Sequence, residues 1–223
     1  MDLAIAAAEA GAPEGLVIVA EHQTAGRGRR GRTWSSPPGA GLYVSCVLRP
    51  YVGEGAVMSL ITLAAGVAVR RGLRDATTLT ADLKWPNDVV VGRRKLAGIL
   101  AEGLAVDTPA QAVVLGIGVN LTPAAHPPDI HERATSVEET LGHPIDPLLV
   151  RTQILSALSD AYAGLRRGEA DDILRQWREA APSAQGADVE WDTPTGTSRG
   201  TTAGIDAAGA LLVRTSQSLE RII

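Results

Sequence analysis

The residues Lys84-Trp85-Pro86-Asn87-Asp88-Val89-Val90-Val91-Gly92-Arg93-Arg94-Lys95-Leu96-Ala97-Gly98-Ile99-Leu100-Ala101-Glu102 decide how this chain is read. Two β-rich runs, 88–91 and 95–103, flank Gly92-Arg93, which reads as a tight turn between them. Pro86 stiffens the bend after Trp85 and presents Asn87 and Asp88 in a fixed direction. An amide and a carboxylate placed so suit a nucleotide edge and a hydrated Mg²⁺, although an Asn-Asp turn between strands is an equally ordinary reading. Lys95 begins the next strand, and Gly98 three residues on leaves room for a ligand against the backbone.

Outward from this stretch, strands are expected at 80–84 and 111–117, and earlier at 16–21 and 41–48. Helices are expected at 2–10 and 55–73. Thr135-Ser136-Val137-Glu138 has capping-box spacing and predicts a short helix ending at Gly142. Two longer helices follow over 147–167 and 169–181, with Pro147 suited to a first turn. From 186 to 223 the sequence turns rich in Gly, Thr, Val and Ile, with turn signals at Thr193-Pro194-Thr195-Gly196 and Ala208-Gly209, and reads as a small all-β unit. The fold class expected is α+β, a mixed sheet packed by helices with a β-only tail.

Composition narrows the function. The chain has 223 residues, is 45% hydrophobic and carries a net charge of -4, so it buries an ordinary core and is not built as a whole for nucleic acid. One cysteine, Cys46, permits no internal disulfide, and no signal-peptide profile opens the chain; a cytoplasmic location is expected. The longest apolar run, Ala56 to Val69, is fourteen residues, short of the ~20 that span a bilayer, so no membrane association is expected. Of 21 basic residues only Lys84 and Lys95 are lysine. Where arginine serves almost everywhere, a retained lysine marks a place that needs a compact ammonium.

Residues 26–32, Gly-Arg-Gly-Arg-Arg-Gly-Arg, are the second informative stretch. Its glycines let the backbone curl around a ligand, and its arginines offer forked donors to carboxylate and phosphate. Trp34, just beyond, can stack on a flat ring. A solvated basic loop or a nonspecific RNA contact is the plainer alternative. The position after an apolar strand favours a ligand loop.

In this order and spacing, the Gly-Arg-Gly-Arg-Arg-Gly loop, the Lys-Trp-Pro-Asn-Asp segment, the Lys-Leu-Ala-Gly-Ile-Leu strand and Gly116-Ile117-Gly118-Val119-Asn120 resemble biotin protein ligases of the monofunctional type. The resemblance implies a class II synthetase-like catalytic domain over 1–182 and an SH3-like β-barrel over 183–223. It implies ATP-dependent ligation of biotin, through biotinyl-5'-AMP, to a lysine of a biotin carboxyl carrier protein. ATP and Mg²⁺ would be required, with biotin as substrate, no specific DNA partner, and a monomer or weak dimer.

Residue by residue, the resemblance makes Lys95 and Arg29 catalytic and places biotin against Gln23, Gly26, Arg27, Gly28, Arg29, Lys95 and Gly98. The adenylate falls to Arg27, Arg30, Arg32, Trp34, Asn87 and Asn120, and a metal-side carboxylate to Asp88. The chemistry explains these types: attack of a carboxylate on an α-phosphorus needs cations that neutralise both partners and the developing charge.

Family members usually carry a Ser-Thr-Asn segment ahead of the first helix, against the ureido end of biotin, whereas here the helix starts at Met1. Weaker biotin binding than in a version extended to include that segment is therefore expected. A lipoate-ligase-type enzyme and a non-catalytic biotin- or nucleotide-binding remnant are the alternatives. Gly116-x-Gly118 is not a dinucleotide loop, because Leu121 stands where the third glycine belongs and Pro-Ala-Ala-His-Pro-Pro cannot open a helix. The four histidines show no zinc spacing with cysteines.

Overall fold

The computed structural model describes residues 1–51, 53–109, 111–193 and 196–223. Strands β1 (Val17–Ala20), β2 (Gly41–Leu48), β3 (Asp82–Lys84), β4 (Asp88–Val91), β5 (Arg94–Leu104) and β6 (Ala112–Asn120) form one sheet in the order β1-β2-β6-β5-β4-β3. Helices α1 (Asp2–Glu9), α2 (Gly55–Thr77), α3 (Val137–Leu141), α4 (Pro147–Arg166) and α5 (Ala170–Ala180) surround it, giving the expected α+β class. The sheet is not mixed: every pairing within it is antiparallel. The short connections between β3, β4, β5 and β6 explain this, since parallel neighbours need a crossover of a dozen or more residues. Among the described residues, parallel pairing survives at one isolated bridge, Lys95 to Ala134.

Period-2 alternation assigns the two faces of this sheet. In β6, Val113, Leu115, Ile117 and Val119 pack into the core shared with α2, α4 and α5. Each such side chain contributes about 1.5–3 kcal/mol on burial. Ala112 and Val114, on the other face, join Ala4 and Ala8 of α1 in a second, smaller core. Further along that face stand Gly116 and Gly118, half-buried and beyond the residues of β6 that pack in the α1 core. Helices thus clad one face completely and the other only at one end. The bare part of the second face is where a ligand has room.

Strands β7 (Gln185–Thr193), β8 (Gly196–Ile205), β9 (Leu211–Arg214) and β10 (Leu219–Ile222) form a second antiparallel sheet, order β10-β9-β8-β7, consistent with the small SH3-like unit expected there. Ile205, Leu211 and Val213 join the main core, and Trp85 Nε1 donates to Gly209 O at 3.0 Å, which ties the two sheets together. The turn expected at 193–196 falls, at Pro194 and Thr195, outside the described residues. Several boundaries move, two of them at helix caps. Helix α2 runs four residues past the expected end, to an αL cap at Thr78. The cap of α3 is Ser136 rather than Thr135, its side chain accepting from Glu139 N at 3.3 Å. Among the described residues no helix is long and apolar enough to cross a membrane.

Candidate active site on the open sheet face

Gly98 of β5 pairs with Gly118 of β6 on one side and with Asp88 of β4 on the other, so a row of the open face carries two glycines beside one carboxylate. The Trp34 ring lies on this floor. A Cβ at Gly118 would stand 2.7 Å from both Trp34 Cε2 and Nε1, and one at Gly98 would stand 3.0 Å from Trp34 Cζ3. These glycines are therefore required by close approach of the indole. Trp34 Nε1 is buried and has no hydrogen-bond partner among the described residues.

Lys95 reaches over the same floor. Its Nζ stands 2.5 Å from Asp88 Oδ1, an ion pair lacking hydrogen-bond alignment, and 5.3 Å from the centre of the Trp34 ring. Its main chain is held at both ends, Lys95 N donating to Arg133 O at 2.8 Å and Thr135 N donating to Lys95 O at 2.9 Å. A backbone fixed this firmly leaves the side chain as the moving part.

The Gly-Arg loop folds back on itself as a small hairpin. Arg27 bridges to Thr33, Gly28 N donates to Arg32 O at 2.7 Å, and Trp34 N donates to Gly26 O at 2.9 Å. Its tip is a 3₁₀ turn, Arg29–Gly31, in which Arg30 takes φ 55°. Gly26 is obligatory: a Cβ there would lie 2.3 Å from Trp34 O. Arg27 is ion-paired with Asp2 of α1 and, at 3.5 Å, with Glu102 of β5. Burial, and then repulsion from Arg30, pull the Arg29 guanidinium below its usual pKa, against the opposing pull of Asp88. Arg29 is thus a desolvated cation facing the Lys95–Asp88 pair, poised to gain from an anion.

One cleft of about 1410 Å³ gathers most of the expected residues: Gln23, Arg27, Gly28, Arg29, Arg30, Arg32, Trp34, Asn87, Asp88, Lys95 and Gly98 all line it. That volume exceeds the ~300–1,000 Å³ of an ordinary single-ligand site. Gly26 and Asn120 do not line it. Asn120 is buried and donates to Thr135 O at 2.9 Å, bracing the segment that holds Lys95. Asn87 lines the cleft and commits one of its two amide hydrogens to Ile99 O at 2.7 Å. Gln23 Oε1 accepts from Ser36 Oγ at 2.8 Å, leaving its amide nitrogen for the cleft.

Reading the sequence found Gly98 but gave the β6 part of the floor, Gly116 and Gly118, no such role. Gly116 is part of it, with Met1 Sδ 3.2 Å from where its Cβ would be, and Ser45 of β2 pairs with Gly116. The signal was present: glycines two apart in an apolar strand mark one face that something approaches closely.

The chain is similar to known proteins in sequence and in fold. The model of the Biotin/lipoate A/B protein ligase family matches residues 7–120. A bifunctional ligase/repressor BirA of Bacillus subtilis is 36% identical over 213 residues, covering 95% of this chain; the chain spans 65% of that relative's length. A biotin–[acetyl-CoA-carboxylase] ligase of Paracoccus denitrificans is 37% identical over 210 residues, covering 88% of this chain and 83% of its own. The structure of a biotin protein ligase from Aquifex aeolicus in complex with biotin and ATP superposes with a TM-score of 0.84 at 29% identity, covering 98% of this chain and 90% of that one. This chain belongs to the Biotin/lipoate A/B protein ligase family.

Proposed function

We propose that this chain activates biotin with ATP as biotinyl-5'-AMP and transfers the biotinyl group to a lysine of a biotin carboxyl carrier protein. The observation that carries the reading is the convergence of Lys95, Asp88, Trp34 and Arg29 on one glycine-floored cleft. Its support outside the chain is that a relative covered over 83% of its length is a biotin–[acetyl-CoA-carboxylase] ligase, and that a similar structure holds biotin and ATP. The expected location is the cytoplasm, and the expected state a monomer or weak dimer.

In the first step a biotin carboxylate oxygen attacks the α-phosphorus of ATP, an O–P bond forms, and pyrophosphate leaves. Lys95 and Arg29 offset the repulsion between carboxylate and triphosphate and the charge gathered on the phosphoryl oxygens. In the second step the carrier's lysine, as the free amine, attacks the biotinyl carbonyl; an amide forms, AMP leaves, and the amine's proton passes to solvent. Trp34 offers a face to the adenine, and the arginine hairpin covers the adenylate from water. Gln23, Gly28 and Gly98 line the biotin side, whereas Arg27, Arg30, Arg32 and Asn87 line the nucleotide side.

Asp88 fits Mg²⁺. It is a hard oxygen donor inside the cleft, and Mg²⁺ is commonly held by one or two carboxylates together with substrate phosphates. Bound there, the ion would neutralise phosphate charge.

The test is pyrophosphate release from ATP with biotin, with lipoate, or with neither. Release that requires biotin, together with labelling of a carrier domain, is expected. Release with lipoate alone, or none with either acid, would overturn the reading.

A further inference from the structure

Away from the cleft, His126, His131 and Glu139 bring one ligand atom each to within 4.8 Å of the others. His126 is buried, its side chain 4% exposed, and neither ring nitrogen has a hydrogen-bond partner among the described residues. Glu139 Oε2 is likewise buried and unpartnered, and stands 3.7 Å from His126 Nε2. His131 is 61% exposed and places Nε2 3.8 Å from Glu139 Oε1. A buried imidazole with both nitrogens unsatisfied costs free energy unless something fills the gap.

We propose that His126, His131 and Glu139 form a Zn²⁺ site that fixes the segment under Lys95. Two imidazoles and a carboxylate suit Zn²⁺ over Mg²⁺ or Ca²⁺, which prefer oxygen alone. Bonds of about 2.0–2.1 Å around a tetrahedral ion put ligand atoms roughly 3.4 Å apart. His126 Nε2 is 3.7 Å from Oε2 and needs to close only slightly. His131 Nε2 is 3.8 Å from the other oxygen, Oε1, and since the three ligand atoms lie within 4.8 Å of one another this exposed ring turns inward to reach the ion. Arg94 Nη1 already donates to Glu139 Oε1, which leaves Oε2 toward His126 and serves as the outer partner that orients a ligating carboxylate. The exposed flank at His131 leaves the fourth position to water. Cys46 lies buried in the main core and does not take part.

The site matters to the cleft through the backbone. His131 precedes by two residues the Arg133 carbonyl that accepts from Lys95 N, and Thr135 N donates to Lys95 O. Glu139 lies on α3, capped by Ser136, so the ion would tie α3 to the turn at 131–133 that leads into the Ala134 bridge. The coupling is mechanical, and the ion would take no part in bond making.

The experiment uses the full chain, without a histidine tag, stripped of metal and titrated with Zn²⁺. One ion per chain is expected, with a tetrahedral visible spectrum when Co²⁺ is substituted. His131→Ala, at an exposed position, and Glu139→Gln should each weaken Zn²⁺ binding by at least the roughly 10–100-fold that loss of an outer partner costs. Amide exchange at Lys95 and Thr135 should slow when Zn²⁺ is added. Equal affinity in the parent and both variants, or no binding in the parent, overturns the site. Zinc binding that leaves both amides exchanging at the same rate overturns the clamp.

Discussion

Replacing Gly118 by alanine tests whether the indole of Trp34 rests on the sheet because the floor is bare. The added methyl would lie 2.7 Å from Trp34 Cε2 and Nε1 and 2.9 Å from Cζ2, all atoms of a rigid ring. Carbon contacts are comfortable at about 3.5–4.0 Å, so the ring must retreat by about 1 Å. Overpacking of this kind costs about 1–3 kcal/mol, which for a chain of this size lowers the melting temperature by about 2–12 °C. The catalytic effect should be larger, since an error of about 1 Å in positioning can cost about 100-fold. Single-turnover pyrophosphate release and thermal unfolding are measured on Gly118→Ala, on Trp34→Ala and on the double variant. Removing the ring removes the clash, so the methyl should cost little stability in the Trp34→Ala background, a coupling the cycle reports directly. Gly55→Ala is the control, because nothing lies within 4 Å of a Cβ there. Equal destabilisation by Gly118→Ala with and without the tryptophan would refute the reasoning.

Three further outcomes are expected. Lys95→Arg should slow adenylate formation about 100-fold although charge is kept, because a fork replaces a mobile point charge; near-parental single-turnover rates would exclude that role. Trypsin should cut within residues 26–32 more slowly when biotin and ATP are both present, as expected of a hairpin that closes on its ligands, and equal cleavage would count against a cover. Burial alone would raise the Asp206 carboxyl pKa, but bonding to Arg221 and to Ala210 N and Ala208 N more than offsets it, and the net shift is downward. A depressed folded pKa gives stability that is complete above the unfolded value of about 3.9 and lost as pH falls through the folded one. Asp206→Asn should therefore unfold more easily than the parent at pH 7, the difference shrinking below about pH 4; a difference independent of pH would contradict the linkage.

Elements with clear alternation and clear punctuation were legible. Gly41–Leu48 forms as read, because Gly41 and Pro50 bound a run of β-formers. Strand β6 was read short, ending at 117, since Gly116 and Gly118 look like breaks when a strand is judged by propensity alone. In the sheet they are the surface on which Trp34 lies. Residue types in the cleft were legible from their chemistry, but partners were not. Nothing in the letters Asn87 and Asn120 shows that both amides donate to main-chain carbonyls, of Ile99 and Thr135. The His126–His131–Glu139 group was passed over because zinc spacing was sought only with cysteine, whereas this cluster is assembled by a loop folding back beneath Lys95.

The scarcity of lysine acquires a physical reason at Lys95. Its Nζ lies 2.5 Å from Asp88, and a Cβ at Gly98 would lie 3.2 Å from it. Trp34 closes the space on another side, 5.3 Å to its ring centre. A planar guanidinium with five donors in a fixed fork is wider than that gap and strains either the glycine floor or the indole. A compact ammonium fits, and with its backbone pinned on both sides it can swing from Asp88 to a substrate oxygen by rotation of its stem alone. The arginines across the cleft have the opposite task. Planar forks set on a hairpin with its own hydrogen-bonded rungs present donors in fixed directions, which suits holding an anion still. The division between one mobile cation on the sheet and several fixed ones on the hairpin is what the proposed two-step transfer requires. The charge that follows the reacting oxygen must move, and the charges that hold the rest of the molecule must not.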